Sequence, residues 1–193
     1  MDSISHTRVA NLLLDHIEET SGVKFDNSAF KFGNLKPDLT GTYLSKRHYP
    51  SLMFDEIMDR LREFSETYTI KRENGKDLSE ALGEICHYLT DFFCYPHNDD
   101  IYPHNLFMHY VYEKRVCASL RRRLTSATFE RWAWTDALPA TVEELIEKIS
   151  SEHKRYLKVR HGIDTDLPFI CGIVVLTVRS LITIATTPVL QLA

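Results

Sequence analysis

The sequence predicts an all-α fold, a multi-helix bundle of about six helices around one core. Three observations carry that expectation. Apolar residues recur at helical spacing along most of the chain, strand signals are scarce, and Gly and Pro punctuate the intervals between the periodic runs. The 193 residues, 44% hydrophobic and 26% charged, suit a single domain over 1–193 with a sizeable core.

Ser3 or Ser5 caps a first helix that carries Val9, Leu12, Leu13 and Ile17 on one side, and Gly22 ends it. Residues 25 to 50 read as irregular, broken by Gly33, Pro37, Gly41 and Pro50. A long helix is expected over Ser51–Thr69, marked by Leu52, Ile57, Leu61 and Phe64. Asn74-Gly75 is a turn, and Asp77 or Ser79 starts the next helix, which holds His87 and Asp91. Pro96 breaks that helix and, with Pro103, brackets a polar loop. Another helix carries His109 and Glu113 towards Arg123, and residues 126 to 138 are ambiguous. Thr141-Val142-Glu143-Glu144 resembles a capping box and opens a helix to about Val159. A last, apolar helix follows Asp166-Leu167-Pro168.

That final stretch, Leu167 to Thr187, is about as long as a bilayer span. Arg179 within it would cost several kcal/mol at mid-membrane, so a buried core helix is expected and no transmembrane span. A net charge of -4 gives no electrostatic case for a nucleic-acid binder. Four cysteines lack CxxC spacing and the N-terminus shows no cationic, apolar leader pattern, from which a cytoplasmic protein with free thiols is expected.

The chemistry concentrates in one stretch. His87 and Asp91 stand four residues apart on an expected helix, so both side chains lie on one face. His97 follows after Pro96, and His109 and Glu113 repeat the same spacing. Only His104, among the histidines between them, lacks a spacing that gives it a role. Neutral imidazole with carboxylate suits zinc without any thiolate. The plainer alternative is a pair of ordinary acid–base helix contacts worth a few tenths of a kcal/mol each. His87 and Asp91, however, sit among Ile85, Tyr88, Leu89, Phe92 and Phe93. Burying such a pair there is costly without a metal or a complete hydrogen-bond network.

The run His87-Tyr88-Leu89-Thr90-Asp91, with His97 six residues after Asp91, resembles the zinc-dependent phospholipase C family of bacteria. That family carries His-Tyr-x-Gly/Thr-Asp, a further His, and then a His-x-x-x-Glu pair, matched here by His109 and Glu113. Upstream, Lys36-Pro37-Asp38 and Arg47-His48-Tyr49 match its Asp and His in order, and His6 matches its first zinc-binding His, with His16 the weaker alternative. The resemblance implies up to three zinc ions. One would be held by His48, His87 and Asp91 with Asp38 beside it, a second by His6 and a bridging Asp91, and a third by His97, His109 and Glu113. In that family the second zinc also takes the amino and carbonyl groups of the first residue, a Trp there and Met1 here. His104 would be a substitute loop ligand at most.

The activity so implied is phospholipase C-like phosphodiester hydrolysis by a zinc-activated hydroxide, with Asp38 as the catalytic residue that orients or deprotonates the nucleophile. Its substrate would be a phospholipid. One alternative is a phosphodiesterase or nuclease acting on soluble nucleotide or sugar phosphodiesters, and only under it is nucleic acid a partner. Another is a non-catalytic, metal-stabilised helical interaction protein. Asp15, Asp55, Glu84 and Asn98 are available to support the ligands. Arg121-Arg122-Arg123 reads as a solvated run completing a helix dipole, with phosphate contact the lesser alternative. Cys86 and Cys94 read as small buried hydrophobes.

Overall fold

A computed structural model describes residues 1–39, 48–103 and 105–186. Eight α-helices and one short 3-10 helix occur among them. They are α1 (Ser3–Ser21), α2 (Asn27–Leu39), α3 (Pro50–Thr67), α4 (Lys76–Phe92), α5 (Leu106–Arg123), α6 (Ser126–Trp132), α7 (Val142–Tyr156) and α8 (Ile163–Thr186), with the 3-10 turn at Tyr95–His97. An isolated bridge between Lys24 and Glu73 is the one β pairing among the described residues. The all-α expectation holds, with eight helices rather than about six.

The helix ends explain most of the differences. α1 is capped by Asp2, ahead of both expected serines, Ser3 and Ser5: its carboxylate accepts from Ser5 N at 3.0 Å and from Ser5 Oγ at 2.7 Å. Gly22 ends α1 as expected, in the left-handed region at φ 69°. Thr125 caps α6 through a reciprocal box with Thr128, ordering the segment that the sequence left ambiguous. α7 begins after Thr141, as predicted, and stops at Tyr156. α8 begins five residues before Pro168, so that Pro lies inside the helix rather than at its opening.

The largest correction is α2. Asn27–Leu39 is helical where the sequence reads as irregular. Asp26 starts it, its side chain accepting from Ala29 N at 2.9 Å. Gly33 does not break it because this glycine is a packing device: a Cβ there would lie 2.0 Å from the Glu80 carbonyl oxygen. Gly83 on α4 answers it, since a Cβ there would lie 2.1 Å from the Phe30 carbonyl oxygen. With no side chain on either glycine, the two backbones touch, and tertiary packing overrides weak helix propensity. α2 and α4 make the most extensive helix pairing in the described fold.

α8 is the core helix. Its central run, Phe169 to Val178, is buried, and α1, α4, α5, α6 and α7 pack around it. It is long and apolar enough to cross a membrane, yet most of its apolar surface is covered by the other helices. Trp134 lies over Gly172 of α8 and beneath the Arg155 guanidinium, so it is a packing residue. Asp166, fully buried near the start of α8, accepts from Tyr95 N (3.1 Å), Tyr112 Oη (2.7 Å) and Tyr156 Oη (2.9 Å). This one carboxylate therefore ties α5, α7 and α8 to the turn that aims His97.

Candidate metal centre

Asp91 is the hub. It is buried one helical turn after His87 on α4, and its two oxygens face different neighbours. Oδ1 lies 3.3 Å from His6 Nε2 on α1 and against the amine of Met1. Oδ2 lies 3.3 Å from His48 Nδ1, 3.4 Å from His87 Nε2 and 3.6 Å from His97 Nδ1. Asp38, in the last turn of α2, brings Oδ1 to 3.7 Å from His48 and 3.6 Å from His87. On the other side, Glu113 Oε1 lies 3.1 Å from His109 Nε2 and 3.3 Å from His97 Nε2.

Three donor groups result: His6 with His87 and Asp91; Asp38 with His48 and His87; and His97 with His109 and Glu113. Within each, the candidate ligand atoms lie within 4.8 Å of one another. All eight residues expected from the sequence thus stand together. His16 belongs to none of the groups, packing instead against Phe129 with ring centroids 5.8 Å apart. His104 lies outside the described residues.

The residues fit zinc on three counts. The donor set is imidazole and carboxylate, and the cation that stands among them is the Met1 ammonium, against Asp91 and 3.5 Å from Glu113. Nitrogen and oxygen ligands about 2.0–2.1 Å from a tetrahedral zinc stand roughly 3.3 Å apart. The separations between His48, His87, Asp91 and Asp38 run from 3.0 to 3.7 Å. Finally, His6 Nε2 is buried without a hydrogen-bond partner among the described residues, 3.3 Å from Asp91 Oδ1. Buried polar atoms normally have a partner, and a cation would provide one.

Hydrogen bonds on the far side of the rings fix which nitrogen faces inward. His87 Nδ1 donates to the Asn34 carbonyl at 2.8 Å, which leaves the Nε2 lone pair directed at the site. Thr90 Oγ1 donates to the His87 carbonyl at 2.7 Å and so accepts from His6 Nδ1 at 3.1 Å. His6 therefore also turns a bare Nε2 inward. Thr90 is part of the quoted sequence motif, but its role needs three-dimensional neighbours to appear. Of the four supports offered by the sequence, Asn98 acts nearby: it bonds to the Phe92 and Cys94 carbonyls and accepts from His153, holding the turn that carries His97. Glu84 instead pairs with Arg60 and Lys36.

Charge is strongly coupled here. Burial works against the Asp91 carboxylate, but His97, the Met1 ammonium, His6 and His87 outweigh it and hold the carboxyl well below its usual range. Burial also opposes the Met1 ammonium, yet Asp91 and Glu113 push it up to about 12. Burial takes His97 down to about 4 and His87 well below the ordinary histidine value. Burial, then Asp91, raises Asp38. His87 and His97 are thus neutral and ready to donate lone pairs near pH 7, as metal ligation requires.

A cavity of about 280 Å³ opens onto this cluster, lined by His48, Tyr49, His97, Leu106, His109, Tyr110 and Glu113. Of the aromatic residues near the site, Tyr88, Phe92 and Phe93 are core, whereas Tyr110 stands exposed at the mouth. Cys86 and Cys94 are buried free thiols, raised by burial and absent from every donor group.

No curated protein and no solved structure matches the chain. A family model described as zinc-dependent phospholipase C matches residues 5–163, which takes in every residue of the three donor groups. The chain belongs to the zinc-dependent phospholipase C family.

Proposed function

We propose that this protein is a zinc-dependent phosphodiester hydrolase that cleaves phospholipids on the glycerol side of the phosphate. The observation that carries the reading is the three-part donor cluster around Asp91 and His87, of which His48, His97, His109 and Glu113 line an open cavity. His48, His87, Asp91 and Asp38 would hold one zinc, His6 and Asp91 a second, and His97, His109 and Glu113 a third. Bound zinc supplies water acidified towards neutral pH and positive charge for the phosphoryl oxygens.

The chain's own residues do the rest. Asp91 presents an oxygen to either side and holds His6, His48 and His87 in register. Asp38 is the half-buried carboxylate of the set, and its raised proton affinity suits it to take the proton of the attacking water at a carboxylate oxygen. Leu106 and Tyr110 offer apolar surface at the cavity mouth to the glycerol and acyl portion of a lipid. A reducing, cytoplasmic setting fits four buried free cysteines.

The test is a substrate panel on zinc-loaded protein: phospholipid, a soluble chromogenic phosphodiester and single-stranded nucleic acid. Phospholipid turnover that disappears, together with zinc, in His87→Ala and Asp91→Ala supports the proposal. Turnover of soluble diesters or nucleic acid alone would replace the lipid by the soluble-substrate reading. Zinc that raises the melting temperature with no turnover of any substrate would make the metal structural.

A further inference from the structure

The first turns of α5 pack inward through His109, Tyr112 and Glu113 and leave their outer side open to water. None of residues 106–115 is buried, whereas Val116, Cys117, Ser119 and Leu120 are. Leu106, Phe107, Met108 and Tyr110 are 75%, 71%, 51% and 58% exposed. Four large apolar side chains open to water in five positions need an explanation that scattered surface apolar residues do not. They adjoin the cavity, since Leu106 and Tyr110 also line it.

Helical spacing extends this patch into a charged one. Phe107, Lys114 and Arg121 fall at seven-residue intervals, as do Met108, Arg115 and Arg122, so two stripes run from apolar to basic along the outer face. The four cations are exposed, and Glu113, the one acid of α5, points into the donor cluster. Arg115, Arg121 and Arg122 form no ion pair among the described residues. A chain of net charge -4 thus keeps four exposed cations along this face, where the neighbouring acid is Asp2 of the α1 cap, paired with Lys114 at 3.2 Å.

We infer that the outer face of α5 docks on an anionic phospholipid bilayer, with Phe107 and Met108 entering the lipid and Lys114, Arg115, Arg121 and Arg122 meeting the phosphates. Apolar tip and basic flank are the two attractions of an interfacial helix. A symmetric second copy is disfavoured as the occupant, because an isologous pairing would set these cations against one another and cover the cavity. The inference rests on the phospholipase reading only for what the docking serves; it would place the cavity mouth at the lipid surface.

The test measures short-time vesicle flotation of the zinc-loaded protein on phosphatidylcholine vesicles with and without phosphatidylserine. Turnover of vesicle lipid and of a soluble chromogenic diester is followed in parallel. Phe107→Ser/Met108→Ser should weaken partitioning about ten- to a hundredfold and lower vesicle hydrolysis by a similar factor, with soluble-diester turnover unchanged. Arg121→Gln/Arg122→Gln should lose about thirtyfold on anionic vesicles and little on neutral ones. Melting curves matching the parent's show that the variants are folded. If both variants partition like the parent, the inference is overturned. It is equally overturned if the parent does not float but sediments as a dimer that Phe107→Ser/Met108→Ser dissolves. If the parent floats, the variants do not, and no diester is cleaved by any of them, the docking stands and the hydrolase reading fails.

Discussion

Thr90→Val is the most informative single change outside the donor set. Valine keeps the shape of threonine and removes only the hydroxyl, which is buried and bridges the His87 carbonyl to His6 Nδ1. Without it, the fully buried His6 ring either leaves Nδ1–H unsatisfied or moves its proton to Nε2, the nitrogen facing Asp91. The first outcome costs about 1–3 kcal/mol for an unmade buried hydrogen bond. The second removes a ligand lone pair, and losing such a support typically weakens metal binding about 10–100-fold, or about 1.4–2.8 kcal/mol. The two routes give the same scale. Chelator-competition titration should therefore show one weakened zinc class, the one served by His6, with the class at His97, His109 and Glu113 unchanged. Thr90→Ser, which restores the hydroxyl, should recover it. Unchanged affinity in Thr90→Val, or equal weakening of every class, would refute the assigned hydrogen bonds.

Further predictions concern the frame around the site. Gly83→Ala forces a Cβ to 2.1 Å from the backbone oxygen of Phe30, which cannot yield as a side chain would. The cost should be about 3 kcal/mol, seen as a fall of roughly 6–12 °C in the melting temperature by calorimetry. His153 and Asp166 should give opposite pH slopes in the stability of the metal-free protein. Burial lowers His153 from 6.5 to about 4, so its contribution is present above pH 6.5 and is lost as pH falls towards 4. Burial raises Asp166 from 3.8 to about 6, so its contribution is present below pH 3.8 and is lost as pH rises through 6. Each is worth roughly 3 kcal/mol. Relative to the parent, His153→Phe should lose most at neutral pH and Asp166→Asn most near pH 4, read from denaturant midpoints. Glu113→Gln should remove the zinc class shared with His97 and His109 while leaving the Asp38 group filled, as counted by elemental analysis.

The helices with strong apolar periodicity were legible from the sequence, and so were the eight residues that cluster around Asp91, through i, i+4 spacing and through chain order matched to a family pattern. The order of Asp38 and His48 could be read, but not their approach to His87. That approach depends on α2, whose helical state is decided by Gly33 meeting Gly83 across a helix crossing. Read locally, Gly33 and Pro37 are breakers; packed against α4, the same segment is a helix that delivers Asp38. The Asn34 carbonyl and Thr90 were invisible for a related reason, since supporting hydrogen bonds join residues 53 and 84 positions apart. α8 shows the complementary case, in which length and composition alone match a membrane span and only the helices around it identify a core element.

Anomalous diffraction at the zinc edge, from crystals of the zinc-loaded protein, tests the central claim most directly. Peaks are expected within ligand distance, about 2.0–2.2 Å, of His48, His87 and Asp91, and of His97, His109 and Glu113. A map with no peak at this cluster, from crystals in which zinc is abundant, would contradict it.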